Sequence, residues 1–140
     1  MTESVAVCER IAVGTALEVQ PHEVDYWDYR NWLHRADATL TFPLAIMLRY
    51  TAVEKPERRL AQAVDDYRTF FRGRARSIES ALADGRDWLV AGRFTIADIA
   101  IAYAAFLANS VGAGNELGVA TKAWLARCTA RPAFTRARER

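Results

Sequence analysis

Few side chains in this 140-residue sequence are of the kinds that carry out chemistry, and their spacing narrows what they can do. The two histidines, His22 and His34, lie twelve residues apart with no HExxH run and no paired carboxylate and histidine spacing, so no metal site is indicated. The two cysteines, Cys8 and Cys128, stand at opposite ends of the chain without a CxxC partner. Neither a disulfide framework nor a thiolate metal site follows, and a reducing cytoplasm is the expected compartment. No GxSxG elbow supports a serine triad, and the glycines are too scattered for a phosphate loop. The strongest local signal is Phe94-Thr95-Ile96-Ala97-Asp98-Ile99. Here Thr95 can accept from the Asp98 amide, Asp98 can reach back to the Thr95 amide, and Phe94 can staple onto Ile99: a structural helix start, with no catalysis in it.

The background composition fits one folded domain. Hydrophobic residues make up 51% and charged residues 26%, which suffices for a single core and excludes a disordered tail. Apolar runs are interrupted too often for a membrane span, and the N-terminus lacks the pattern of a secretory leader. A net charge of +2 gives no case for nucleic acid, and Arg68, Arg72, Arg74 and Arg76, flanked by acidic residues, read as a solvated helix face.

Apolar residues recur three and four apart almost throughout, which predicts an all-α helical bundle. A first helix is expected over about Ser4–Val13, with Val5, Cys8, Ile11 and Ala12 on its inner face and Gly14 as its stop. After a connector closed by Pro21, a long helix is predicted from His22 to Tyr50, about 42 Å if straight. Pro43 should kink it, with Thr39 or Thr41 able to occupy freed backbone groups. A third helix is expected over Pro56–Ala83, with Leu60, Val64, Tyr67, Phe71, Ile78 and Leu82 as its core stripe. The helix after Thr95, apolar nearly all round, should be central and buried as far as Asn109. Two shorter helices follow, near Val119–Ala130 and from Arg131-Pro132-Ala133. Trp27, Trp32, Trp88 and Trp124 are expected in the core or in a dimer contact.

The Thr95 and Asp98 box, its Trp88-Leu89 to Gly92-Arg93-Phe94 approach, and Trp124 followed by Arg131-Pro132-Ala133-Phe134 together resemble the C-terminal helical domain of cytosolic glutathione S-transferases. Asn31-Trp32-Leu33-His34 is similar to the first core helix of bacterial members, so the resemblance runs along essentially the whole chain. It implies that residues 15–140 form this helical domain, and that residues 1–14 are the last helix of a thioredoxin-like domain. It implies further that Glu3 and Ser4 are remnants of the grip on the γ-glutamyl end of glutathione. A serine hydroxyl and free amides at a helix start suit a carboxylate, and a nearby glutamate suits an ammonium. Tyr26, Asn31 and His34 lie on the helix that lines the family's electrophile pocket, so the resemblance makes them candidate substrate contacts.

The rest of the thioredoxin-like domain, with the residue that holds glutathione as thiolate, has no counterpart here. An unperturbed thiol has a pKa of about 8.5, so conjugation without that residue is disfavoured, and Cys8 reads as core rather than as a replacement nucleophile. The chain alone is expected to be inactive, with glutathione as cosubstrate and a small hydrophobic electrophile as partner only when a thioredoxin-like domain is supplied. That domain would be encoded upstream of a methionine internal to a longer protein, or carried on a separate chain. Its loss should expose Tyr26 and Trp27 and favour homodimer formation or dye binding. The alternative is a non-catalytic interaction or assembly module with the same fold.

Overall fold

The computed structural model describes residues 2–139, and the chain is all-α. Its helices are α1 (Ser4–Ala12), α2 (Tyr26–Arg35), α3 (Phe42–Leu48), α4 (Ala61–Leu82), α5 (Ile96–Ser110), α6 (Val119–Thr129) and α7 (Pro132–Arg138). Helix α5 runs through the middle, in contact with α1, α2, α3 and α6, while α4 closes the other side against α3 and α6. The buried alanines Ala97, Ala102, Ala104, Ala105 and Ala108 let those neighbours approach it closely. One strip of α5, bearing Ile99 and Tyr103, stays exposed, so the burial is less complete than its composition suggests.

The long helix predicted from His22 departs from expectation at both ends. The Gln20 amide donates to the Glu23 carboxylate (2.7 Å) and the Glu23 amide to the Gln20 carbonyl (2.9 Å), which makes a turn of this segment and delays the helix to Tyr26. Its course then continues through a π-helical turn (Ala36–Thr41), α3 and a second π-helical turn (Arg49–Val53). The first π turn abuts Pro43, which is buried and has no amide to donate, and the Phe42 amide reaches the Asp37 carbonyl instead. Thr41 does not fill the freed position, since its hydroxyl is buried with no partner among the described residues.

Pro56 opens only a short 3-10 turn (Pro56–Arg58), and Leu60 is extended (φ −122°, ψ 96°), so α4 starts at Ala61. Leu60 is consequently 53% exposed and no part of the core stripe. Ile11 corrects a second expectation: it is 72% exposed, whereas Ala12 is buried and Val5 and Cys8 are half-buried. Gly14, at φ +72°, turns the chain out of α1 in the left-handed region that glycine tolerates.

The interior is organised around one carboxylate. Asp98, fully buried, accepts at Oδ2 from the Thr95 amide (2.9 Å) and hydroxyl (3.3 Å), and at Oδ1 from the Leu89 amide (3.0 Å) and Trp124 Nε1 (3.0 Å). Thr95 completes a capping box and accepts from the Ala97 amide at 3.2 Å. Burial pushes the Asp98 carboxyl above its ordinary range, against hydrogen bonds that favour the ionised form. Phe94 stacks edge-on against Trp88 (5.0 Å) under the Arg131 guanidinium (3.8 Å), and Ile99 is exposed, so the staple contact is made with other partners.

A second carboxylate fixes α6. Glu79 of α4 accepts from the amides of Ala120 (3.0 Å) and Thr121 (2.9 Å) and from the Thr121 hydroxyl (2.8 Å), capping the start of a neighbouring helix. A Cβ at Gly118 would fall 2.2 Å from this carboxylate. Of the arginines expected to face solvent, Arg72, Arg74 and Arg76 are exposed, with Arg72 near Glu116 (3.9 Å) and Arg74 over Phe70 (4.8 Å), while half-buried Arg68 donates to the Gly112 carbonyl.

Two stability outcomes follow from these carboxylates. Asp98→Ala strands buried donors on Leu89 and Trp124 and should cost about 2–4 kcal/mol, read as a lowered urea midpoint; a wild-type midpoint would mean that the carboxylate does not bear on stability. Gly118→Ala should cost about 1 kcal/mol, the worth of a helix cap, and should cost nothing in a Glu79→Ala background; additive losses in that double-mutant cycle would refute the steric conflict.

Candidate functional site

The candidate residues fall at the start of α1 and along α2, from Tyr26 in its first turn to His34 in its last. Glu3 and Ser4 are exposed at the start of α1, where Glu3 takes the N-cap position without a side-chain cap bond. The Val7 amide reaches the Glu3 carbonyl (3.0 Å), which leaves the amides before it without intrahelical acceptors. On α2, Asn31 and His34 are exposed on the same face as Trp27, three and four residues apart. Tyr26 sits to one side of that face, half-buried and edge-on to the Trp27 ring (5.2 Å). Asn31 also borders a polar recess of about 230 Å³ with Asp25, Asp28 and Arg86, which neither Tyr26 nor His34 lines.

Residues other than these candidates set this geometry. Arg30 of α2 forms an ion pair with Glu9 of α1, holding the two helices in register. Tyr29, buried beside them, has its phenol pushed up to about 12 by burial first and then by Glu9 and Glu18. Cys8 is half-buried, and burial followed by the Asp37 charge raises its thiol further from ionisation, the reverse of what a nucleophilic cysteine requires.

Arg93, three residues into the turn after Val90, clamps the connector that leads into α2. Its guanidinium donates to both Glu23 carboxylate oxygens (2.7 and 2.8 Å) and to the carbonyls of Ala16 (3.1 Å) and Glu18 (2.9 Å). The Ile96 amide adds a bond to the Leu17 carbonyl (3.0 Å). Asp25, at the N-cap of α2, accepts from the Ala91 amide at 2.8 Å across the chain. Ala91 and Gly92 both have positive φ (57° and 61°), and this bond steadies a turn that alanine disfavours.

This arrangement can be set beside known proteins. The family described as "Glutathione S-transferase, C-terminal domain" matches residues 41–132. The chain belongs to that family. Among solved structures it is similar to Ure2p5 from Phanerochaete chrysosporium, cocrystallised with 1-(S-glutathionyl)-2,4-dinitrobenzene (22% identity, TM-score 0.86, 99% of this chain and 67% of the other). It is also similar to Ure2p in complex with glutathione (22% identity, TM-score 0.82, 98% and 68%). A third similar structure is a glutathione transferase from Pseudomonas putida with one glutathione disulfide bound per subunit (20% identity, TM-score 0.80, 97% and 60%). These likenesses are of fold, and this chain spans between three fifths and about two thirds of the length of those chains. Comparison with curated proteins gives no match.

Within this glutathione S-transferase helical fold, no helix of the described residues is long and apolar enough to cross a membrane, and none of their His, Cys, Asp and Glu groups is placed to hold a metal ion. Sequence reasoning missed Glu23, Asp25 and Arg30 as positioning groups. Asp25 three residues after Pro21-His22 is a helix-start signal that could have been used. The partners of Arg30 and Arg93 lie more than twenty residues away and leave no local trace.

The Arg93 clamp has a pH signature. The Arg93 hydrogen bonds, the Gln20 amide and the Arg93 charge lower the Glu23 carboxyl to about 2 from an ordinary value of 4.5. A depressed carboxyl stabilises the fold above its unfolded pKa, and that contribution disappears as pH falls through the folded value. The Tm gap between wild type and Glu23→Gln should therefore be constant at neutral pH and close between about pH 4.5 and pH 2; a gap independent of pH would show that Glu23 is not ionically engaged.

Proposed function

We propose that this chain is the helical half of a glutathione transferase-like protein. In this reading α2 supplies one wall of an electrophile pocket through Tyr26, Asn31 and His34. The start of α1, with Glu3 and Ser4, supports the γ-glutamyl end of glutathione, as expected of residues 1–14 if they are the last helix of a thioredoxin-like domain. The group that holds the glutathione sulfur as thiolate comes from outside residues 1–140, and residues 15–140 act as the domain on which that unit docks.

One observation carries the reading: an uncovered apolar face at the α1 and α2 ends. Ile11 is 72% and Val13 61% exposed at the C-terminal end of α1, and Val24 is 99% and Trp27 77% exposed around the start of α2, the helix that carries Tyr26, Asn31 and His34. Large apolar side chains left exposed at both helix ends suit a partner that covers them. A second copy of the chain is the other partner the reading accommodates, in a homodimer. The ligands named for the similar structures, glutathione and a glutathionyl dinitrobenzene, are of the class this face would serve.

The chain alone should not raise the rate at which glutathione and 1-chloro-2,4-dinitrobenzene combine above the uncatalysed background. The intact mass of the endogenous protein, captured from lysate with an antibody to the C-terminal residues, should clearly exceed 15.7 kDa or be matched by a co-purifying thioredoxin-like chain. Conjugation by the isolated chain would overturn the assignment of the thiolate group elsewhere. A lone 15.7 kDa species without such a chain would overturn the two-part enzyme and favour an interaction module.

A further inference from the structure

The turn that leaves α4 holds a pair of residues with covalent chemistry of its own. Of all the aspartates and asparagines in the sequence, Asp84 alone is followed by glycine. Both residues are exposed, and Gly85 lies in the left-handed region at φ +83°. A Cβ built at Gly85 would meet no atom within 4 Å, so the glycine is open on that side and no side chain of its own crowds the nitrogen. Its amide donates to the Leu82 carbonyl at 3.1 Å, an exposed helix-end bond that opens more readily than one in the core.

In such a pair the glycine nitrogen attacks Cγ of the aspartic acid. A C–N bond forms, the carboxyl C–OH bond breaks, and the hydroxyl leaves with the amide proton as water, closing a succinimide. Water then reopens the ring. Where it adds at the main-chain carbonyl, the chain runs on through the side-chain carbonyl as an isoaspartyl link, one carbon longer and unchanged in mass. The first step needs the neutral acid, since an oxide anion is a poor leaving group, and it needs Cγ swung over the Gly85 nitrogen.

Arg86 opposes both requirements. Its Nε donates to Oδ1 (3.0 Å) and Oδ2 (2.9 Å) of Asp84, its Nη2 to Oδ2 (2.7 Å), and its own amide to Oδ1 (3.1 Å). This fork engages both oxygens and favours the ionised form, holding the carboxyl down to about 2 from an ordinary 3.8. Arg86 also reaches the Leu89 carbonyl (3.4 Å) and borders a recess with Asp25 and Asp28. The ion pair is half-exposed, a surface contact that salt screens.

We infer that the Asp84–Gly85 peptide is the site at which this chain converts to isoaspartate, and that the Arg86 guanidinium is the brake on that conversion. The added backbone carbon falls shortly before Leu89, whose amide donates to Asp98, and it parts Arg86 from its carboxylate. This inference is independent of the proposed function.

The test is to age the full chain at neutral pH, label isoaspartate with an isoaspartyl carboxyl methyltransferase and radiolabelled S-adenosylmethionine, and assign the label by peptide mapping. A protease that cuts before aspartate but not before isoaspartate gives a second readout at residue 84. Label should concentrate at Asp84 and vanish in Asp84→Ser. In Arg86→Gln it should rise at least tenfold at residue 84 alone, since each unit by which the carboxyl pKa recovers multiplies the neutral acid tenfold. Molar salt should speed the wild type, a readout that needs no variant. Label mainly at another residue, such as Asn109 before Ser110, would overturn the site. An unchanged rate in Arg86→Gln, a rise shared by every aspartate as unfolding would give, or a wild-type rate independent of salt would overturn the brake.

Discussion

The buried carboxylate of Asp98 connects parts of the chain that sequence keeps apart. It starts α5 through Thr95, ties down the apolar segment at Leu89, and holds the Trp124 indole of α6. Each of those donors lies in a region closed to water, where leaving it unpaired would cost more than forming the bond returns. The three elements are therefore interdependent: none can shift without stranding a polar group on another. Burial pushes the carboxyl up, and the four donors act against that by favouring its charge.

From this centre the constraint reaches the outer faces by short covalent routes. The segment that delivers Leu89 to Asp98 continues through Ala91 and Gly92 to Arg93, so fixing one end fixes the other. Arg93 and the Ala91 amide then hold the connector before α2 through Glu23 and Asp25. The exposed position of Trp27 is accordingly a consequence of core packing, and the face it belongs to is presented in a set orientation rather than left to a mobile loop. Pro43 acts further along the same helical course, where the missing amide is absorbed by a π-helical turn and the helix continues to Val53.

What could be read from sequence was local. The capping residues Thr95 and Asp98, the helical periodicity of α4 beyond Val64, and the glycine stop at Gly14 each depend on neighbours within a few positions, and each is visible in order and spacing. The Leu60 and Ile11 assignments failed because periodicity reports which face is apolar and cannot say whether another element covers it. For Leu60 the backbone leaves the helix before Ala61; for Ile11 the helix is regular, yet nothing in residues 2–139 lies over it. Glu79 is legible only in three dimensions, because it caps a helix that begins forty residues later. Of the candidate site, exposure of Asn31 and His34 on one face follows from their spacing, whereas the turn of Tyr26 toward the Trp27 edge does not.

The two open faces of the bundle differ in chemistry, and the difference bears on what each can bind. The α1 and α2 ends present large apolar side chains, with Glu9 and Arg30 paired between the two helices. A face of that kind gains most from burying area against another folded surface. A furrow of α5, α6 and α7 is smaller and mixed, with the rings of Phe106 and Phe134 between Lys122 at one end and Arg138 at the other. Each stands on an element tied to the core: α6 hangs from Asp98 through Trp124, and α2 from the Ala91 amide through Asp25. Occupation of either can therefore proceed on a scaffold that does not have to reorganise, and a rigid scaffold retains the binding energy that ordering would otherwise consume.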